Sequence, residues 1–160
     1  LHILSIIQKN GKGLVVLVNK WDLVEKGTNT MKAWEAEIKH RLEPFTDIPV
    51  LFISVLEKQR MLKAMELAMQ VFEDRKRRIA TRKLNDVMLA VIERQPPPMY
   101  KAKQVTIKFV QQLPTHVPTF VFYCNLPQYI KPSYERFLEN RLRENWRFTG
   151  VPIRLFFRKK

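Results

Sequence analysis

The sequence predicts two successive folds: an α/β unit that is half of a doubly wound parallel sheet, then a smaller α+β domain of order α-β-β-α-β. Three observations carry this. Residues 1–77 alternate helical periodicity with short continuous β-branched runs, the pattern of strands covered on both faces by crossover helices. Residues 78–160 instead place two alternating strands in succession between helices. The charge changes at the same point: 13 Lys/Arg against 10 Asp/Glu in the first part, a net of +3, and 16 against 5 in the second, a net of +11.

Each element follows in order. Leu1 to Lys9 reads as the tail of a helix, stopped by Asn10-Gly11-Lys12-Gly13, because glycine accepts the left-handed turn that ends helices. Leu14 to Val18 is a buried strand. Residues about 30–42 form a helix with Trp34, Ile38 and Leu42 on one side, and Pro49 to Ile53 is a second buried strand. Met61 to about Arg78 reads as a long helix with Met61, Met65, Ala68 and Phe72 on its core stripe.

The basic run Arg75-Lys76-Arg77-Arg78 marks the domain boundary. A helix follows from Thr81, its expected N-cap, with Leu84, Val87, Met88, Val91 and Ile92 as its apolar face, and Gln95-Pro96-Pro97-Pro98 stops it. Val105, Ile107 and Phe109 share the inner face of the next strand; Phe120, Phe122 and Cys124 share that of its successor. Residues about 132–147 form a helix opened by Pro132, with Tyr134, Phe137, Leu138, Arg141, Leu142 and Trp146 on its buried side, and Val151 to Phe157 closes as a strand.

Composition narrows the function. Of the 160 residues, 46% are hydrophobic, enough for a packed core. The longest apolar runs are too short to span a bilayer, and no basic leader with a small-residue cleavage site opens the chain. It starts without Met and with an apolar helix under way, so it is expected to begin inside a domain. The single cysteine, Cys124, allows neither an internal disulfide nor a cysteine-based zinc site, which suits a cytoplasmic protein. His2, His40 and His116 lie too far apart in the chain to suggest a metal or catalytic cluster. A formal charge of +14 points to a polyanionic partner, nucleic acid before membrane.

The sharpest motif is Asn19-Lys20-Trp21-Asp22, directly after the first strand. Loops at the carboxyl ends of parallel strands are where open α/β sheets bind ligands. A carboxylate at Asp22 can accept from both the ring N–H and the exocyclic amino group of guanine, a pair that adenine lacks. Lys20 can lie over the base, and Asn19 can pin the loop and reach the ring nitrogen. A site built to bond such groups discriminates strongly, because the wrong base leaves a buried carboxylate unpaired. Three fixed positions recur by chance in a chain this long roughly 2% of the time, so placement after a buried strand makes coincidence a poor account. Ser54 and Val55 end the second strand, where the Val55 N–H can face the base carbonyl.

On these residues the chain resembles the Era-like GTPases, and within them most closely the Der (EngA) family. The stretches LVVLVNKWDL (Leu14 to Leu23), PVLFISVLEKQRM (Pro49 to Met61) and NRLRENWRFTGVPIRLFFRKK (Asn140 to Lys160) carry the likeness. The resemblance implies a partial P-loop GTPase fold over residues 1–77 and a KH-like domain over 78–160. It implies GTP/GDP as ligand, with Asn19, Lys20, Asp22, Ser54 and Val55 as the guanine-specificity residues. It further implies tandem upstream GTPase domains, Mg2+ held by ligands outside this chain, and a bacterial role in large-subunit ribosome assembly with rRNA contact. Two positions depart from the family pattern: its Ser-Ala is Ser54-Val55, and its following Thr-Gly is Glu57-Lys58.

No G-x-x-x-x-G-K-[ST] phosphate loop and no Asp-x-x-Gly occur in the chain. Without them phosphoryl transfer loses its main electrostatic support, so this segment is expected to hold no catalytic residue and not to hydrolyse GTP alone. Residues 78–160 contain one glycine, Gly150, so the GxxG clamp by which ordinary KH domains hold RNA, and which Era itself retains, is impossible. The alternative RNA contacts are Arg136, Asn140, Arg143 and Arg147 along one helix stripe, with Lys108, Arg154 and Arg158 facing away from the apolar side of the strands. They are expected to meet phosphates rather than bases. The rival reading is a non-catalytic RNA-binding module whose nucleotide loop is vestigial.

Overall fold

The computed structural model describes residues 2–25, 27, 29–42 and 47–159. It divides into two compact units, one of residues 1–75 with 148–152, the other of residues 76–147 with 153–160.

In the first unit helix α1 (His2–Lys9) stops as expected, though Leu1 lies outside the described residues. Gly11 takes φ 61, its N–H donates to Gln8 O at 2.8 Å, and the Lys12 N–H reaches back to Ile7 O. Strand β1 (Val16–Val18) pairs in parallel with β2 (Val50–Phe52), Val16 opposite Val50 and Val18 opposite Phe52. Helices α2 (Thr30–Leu42) and α3 (Met61–Lys76) complete the alternation.

Within these elements the central Leu17 of β1 is exposed. In α2 no residue is fully buried, and Trp34 stands exposed. The core stripe of α3 is Ala64, Leu67, Val71 and Asp74, with Ala64 and Leu67 packed against Leu51 and Ile53. The expected stripe of Met61, Met65, Ala68 and Phe72 faces outward, Met65 being 66% and Phe72 51% exposed. The physical reason is that α3 is apolar around much of its circumference. Periodicity finds two candidate faces there, and only packing chooses between them.

Residues 148–152 belong to this first unit although they lie far along the chain. The Leu14 N–H donates to Gly150 O at 2.8 Å, and the Gly150 N–H donates to Asp47 O at 2.9 Å. Gly150 has φ 67, and a Cβ there would stand 2.4 Å from Leu14 O. The expected strand from Val151 therefore begins only at Arg154, after this left-handed turn and after Pro152, which has no N–H for a ladder.

The second unit has the expected order: α4 (Thr81–Arg94), β3 (Ile107–Leu113), β4 (Thr119–Cys124), α5 (Pro132–Asn145) and β5 (Arg154–Lys159). β4 is central, antiparallel to β3 and parallel to β5. Leu84, Met88 and Ile92 of α4, Tyr134, Leu138 and Leu142 of α5, and Phe120, Phe122 and Cys124 of β4 are buried as the core. Two side chains act as extra backbone. Asn85 exchanges two hydrogen bonds with the main chain of Val110, at 2.7 and 2.9 Å. Gln112 accepts from the Ile79 N–H and donates to Arg77 O.

Three local expectations change. Thr81 is the first helical residue rather than the N-cap, which falls on Ala80. A register shift between Ile107 and Phe109 reverses the alternation of β3, so fully buried Val110 takes the inner position expected of Phe109. Such an extra residue turns every later side chain to the other face. Finally, α5 ends at Asn145, so Arg147 lies beyond the helix and does not extend its stripe.

Candidate functional site

The motif loops leave the carboxyl ends of the two parallel strands, and backbone bonds lock them together. The Ile53 N–H donates to Val18 O at 2.8 Å, and the Trp21 N–H donates to Ile53 O at 3.0 Å. Trp21 is buried beneath the first loop, its ring centroid 4.4 Å from that of Phe52. An aromatic plug of this size fixes the loop by the area it removes from water.

Above this anchor, one oxygen joins both loops. Asn19 Oδ1 accepts from the Lys20 N–H at 2.8 Å and from the Val55 N–H at 3.2 Å. The Val55 N–H, expected to face a base carbonyl, is thus engaged by Asn19 in this structure. Lys20 takes φ 60 and ψ 34, a left-handed conformation that costs a non-glycine residue about 1–2 kcal/mol. Strain of this kind gathers at sites that must aim a side chain. It leads into a short 3-10 turn, Trp21–Leu23, which carries Asp22. Asp22 is half-buried, and its Oδ1 is buried without a hydrogen bond from the described residues, although the residue is engaged elsewhere. An acceptor in that setting suits the paired N–H groups of a guanine edge.

The second loop explains the departures at Ser54-Val55 and Glu57-Lys58. Ser54 is fully buried; its Oγ accepts from the Glu57 N–H at 3.1 Å, and its main chain exchanges bonds with Gln59. Lys58 adopts φ 51, the backbone region that favours glycine, and Arg60 adopts φ 58 while its guanidinium donates to Phe52 O. The loop therefore turns through a left-handed position at Lys58 without a glycine there. At Val55 the main-chain N–H makes the contact, so a valine serves as an alanine would.

In the basic unit, Lys108, Arg136, Asn140, Arg147, Arg154 and Arg158 are exposed. Arg143 differs: it is partly buried, with Nε and Nη2 donating to Glu139 Oε1 at 3.0 and 2.8 Å. Arg141 pairs with Glu144 at 2.6 Å. Burial, and then the neighbouring Glu139 charge, raise the Glu135 carboxyl above its usual range. Phe156 is exposed between Arg154 and Arg158.

Among the described residues no group of three or more His, Cys, Asp or Glu could hold a metal ion. No described helix is long and apolar enough to cross a membrane.

A family model described as the KH-domain-like C-terminal region of EngA bacterial GTPase enzymes matches residues 78–158. Three similar proteins, each named GTPase Der, match nearly the whole chain. That of Christiangramia forsetii is 61% identical over 99% of this chain. Those of Flavobacterium johnsoniae and Bacteroides thetaiotaomicron are 57% and 54% identical over 97% and 100% of it. The chain spans 36–37% of the length of these relatives.

Proposed function

The chain belongs to the family of EngA bacterial GTPases, also named GTPase Der, and from that premise we propose that residues 1–77 read guanine for a GTP-hydrolysing protein whose basic domain meets ribosomal RNA. The bridge from Asn19 Oδ1 to the amides of Lys20 and Val55 carries the reading, because it couples two loops separated by 36 residues into one rim. On that rim the Asp22 carboxylate accepts from the ring N–H and the amino group of guanine, and the Lys20 stem covers the base. If Asn19 turns to the ring nitrogen, it releases the Val55 N–H to the base carbonyl.

In the intact protein GTP and Mg2+ are held together with residues outside this chain, and hydrolysis belongs to that assembly; this chain alone is inactive. Nucleotide state then sets how upstream GTPase domains and the basic KH-like domain engage the large ribosomal subunit during its assembly in the cytoplasm. The excess positive charge of residues 78–160 supports contact with RNA phosphates.

Asp22→Asn in the intact protein tests the base assignment. Xanthine replaces the amino group with a carbonyl and so prefers the amide donor. Affinity should move from guanosine toward xanthosine nucleotides; an unaltered preference for GTP would remove Asp22 from the base edge.

A further inference from the structure

The loop between α4 and β3 carries a tight turn and a ring stack outside the buried core. Tyr100 and Lys103 form an isolated antiparallel bridge, with N···O distances of 3.0 and 2.9 Å. The two residues between them, Lys101 and Ala102, have φ 45 and 59, both in the sense of a type I′ turn, for which Asn-Gly is the usual choice. A lysine and an alanine hold it here without glycine, so a strained backbone presents a cation at its tip. The Tyr100 ring stacks on Tyr129, 4.2 Å between centroids and 16° between planes, and Lys101 Nζ lies 5.6 Å from the Tyr100 centroid. Lys131 follows Tyr129 by two residues in extended backbone. No residue of 98–104 or 125–133 is buried, so this surface is open. Lys101, Lys103 and Lys131 are exposed, and none forms an ion pair among the described residues. Residues 94–134 contain no Asp or Glu. The next acid along the chain, Glu135, is half-buried and does not pair with Lys131.

We propose that the turn at Tyr100–Lys103, together with Lys131, grips RNA phosphates, with the Tyr100–Tyr129 stack as its rigid base. The inference rests on the reading that the basic unit contacts RNA, and adds where the backbone is held. Three unpaired cations with no carboxylate among them favour a polyanion. The ring beneath Lys101 attracts its charge without accepting a conventional hydrogen bond, so the ammonium keeps its donors for phosphate oxygens. The stack and the closed turn restrain the site beforehand, so less freedom is lost when RNA is bound. Lysine acts as a point charge, and the contact therefore holds phosphate rather than reading bases. An acidic membrane suits the site less well. Met99, 64% exposed, is the one large apolar side chain exposed in these two segments, too little to insert beside the lysines. The turn also gives the domain a means of holding RNA that needs no GxxG loop.

The test uses the 160-residue chain with a fluorescent oligouridine titrated over a range of salt concentrations, and phosphatidylglycerol vesicles as the membrane arm. Lys101→Gln, Lys103→Gln and Lys131→Gln should each lower the magnitude of the salt slope by about 0.7, and the triple variant by about 2. Arginine at all three positions should keep the slope, which also shows that the fold survives substitution there. Lys83→Gln, exposed on α4, should leave the slope as it was. Tyr129→Ala removes the stack but no charge, so binding should weaken about 2- to 12-fold at a constant slope; Tyr129→Phe should bind as the parent does. If RNA binds but the three lysine variants keep the parent slope, or Lys83→Gln matches them, the site is refuted while the RNA reading stands. Parental affinity in Tyr129→Ala would likewise refute the stack as its base. So would vesicle binding that is lost in the triple variant while RNA binding is intact. If RNA does not bind in a salt-sensitive way, both readings fall.

Discussion

Gly150 offers the severest test of how the first unit is built. In Gly150→Ala a side chain enters at φ 67, which costs about 1–2 kcal/mol for a residue with a Cβ. The new Cβ would stand 2.4 Å from Leu14 O and 3.0 Å from Pro49 Cδ, so the main chain must move. That movement strains the bonds joining Gly150 to Leu14 and Asp47, at 2.8 and 2.9 Å, each worth about 1 kcal/mol. The sum is about 3–4 kcal/mol, a large part of the stability of an ordinary domain. Gly13→Ala is a natural control: its Cβ would lie 2.5 Å from the Val71 Cγ1 methyl, a side-chain atom, and Gly13 has no left-handed φ. A smaller loss of about 1–2 kcal/mol is expected there. Urea denaturation gives the magnitudes, and hydrogen exchange at the Leu14 and Val16 amides gives the location. A loss under about 1 kcal/mol for Gly150→Ala, or one that spares those amides, would show that residues 148–152 are not part of this unit.

Three further outcomes follow from local geometry. Lys58→Gly should stabilise the first unit by about 0.5–1 kcal/mol by relieving the left-handed conformation at φ 51; a net loss in thermal denaturation would contradict that backbone. Asn85→Ala strips both hydrogen bonds from the main chain of buried Val110 and should cost about 2–3 kcal/mol, with faster exchange at the Val110 amide. Tyr134 donates to Gln95 O at 2.8 Å, and burial pushes its hydroxyl up to about 12. Its folded value lies above the unfolded one, so its contribution is complete below pH 10.0 and is lost as pH rises through about 12. Tyr134→Phe should remove that alkaline step and about 1 kcal/mol at neutral pH, as read from denaturation midpoints across the alkaline range.

Much of the fold was legible because the responsible forces are local. Glycines marked the end of α1, continuous β-branched runs marked β1 and β2, and Pro132 opened α5. What escaped depends on contacts across the chain. The sidedness of α3 needed its packing partner, since Met65 and Val71 are equally apolar and only one is buried. The reversal in β3 follows from one extra residue near Lys108, and a shift of that kind leaves no compositional trace. In the candidate site, Asn19, Lys20 and Asp22 were readable as a motif. Their coupling to Val55 through a single amide oxygen was not, because it joins positions 36 residues apart.

The central claim is that the Asp22 loop reads the guanine edge, and nucleotide competition in the intact protein tests it most directly. Each bond to a carboxylate is worth about 1.5–3 kcal/mol. ITP, which lacks the amino group, should therefore bind about 10- to 150-fold more weakly than GTP, and ATP more weakly still. Equal competition by GTP, ITP and ATP would contradict the account.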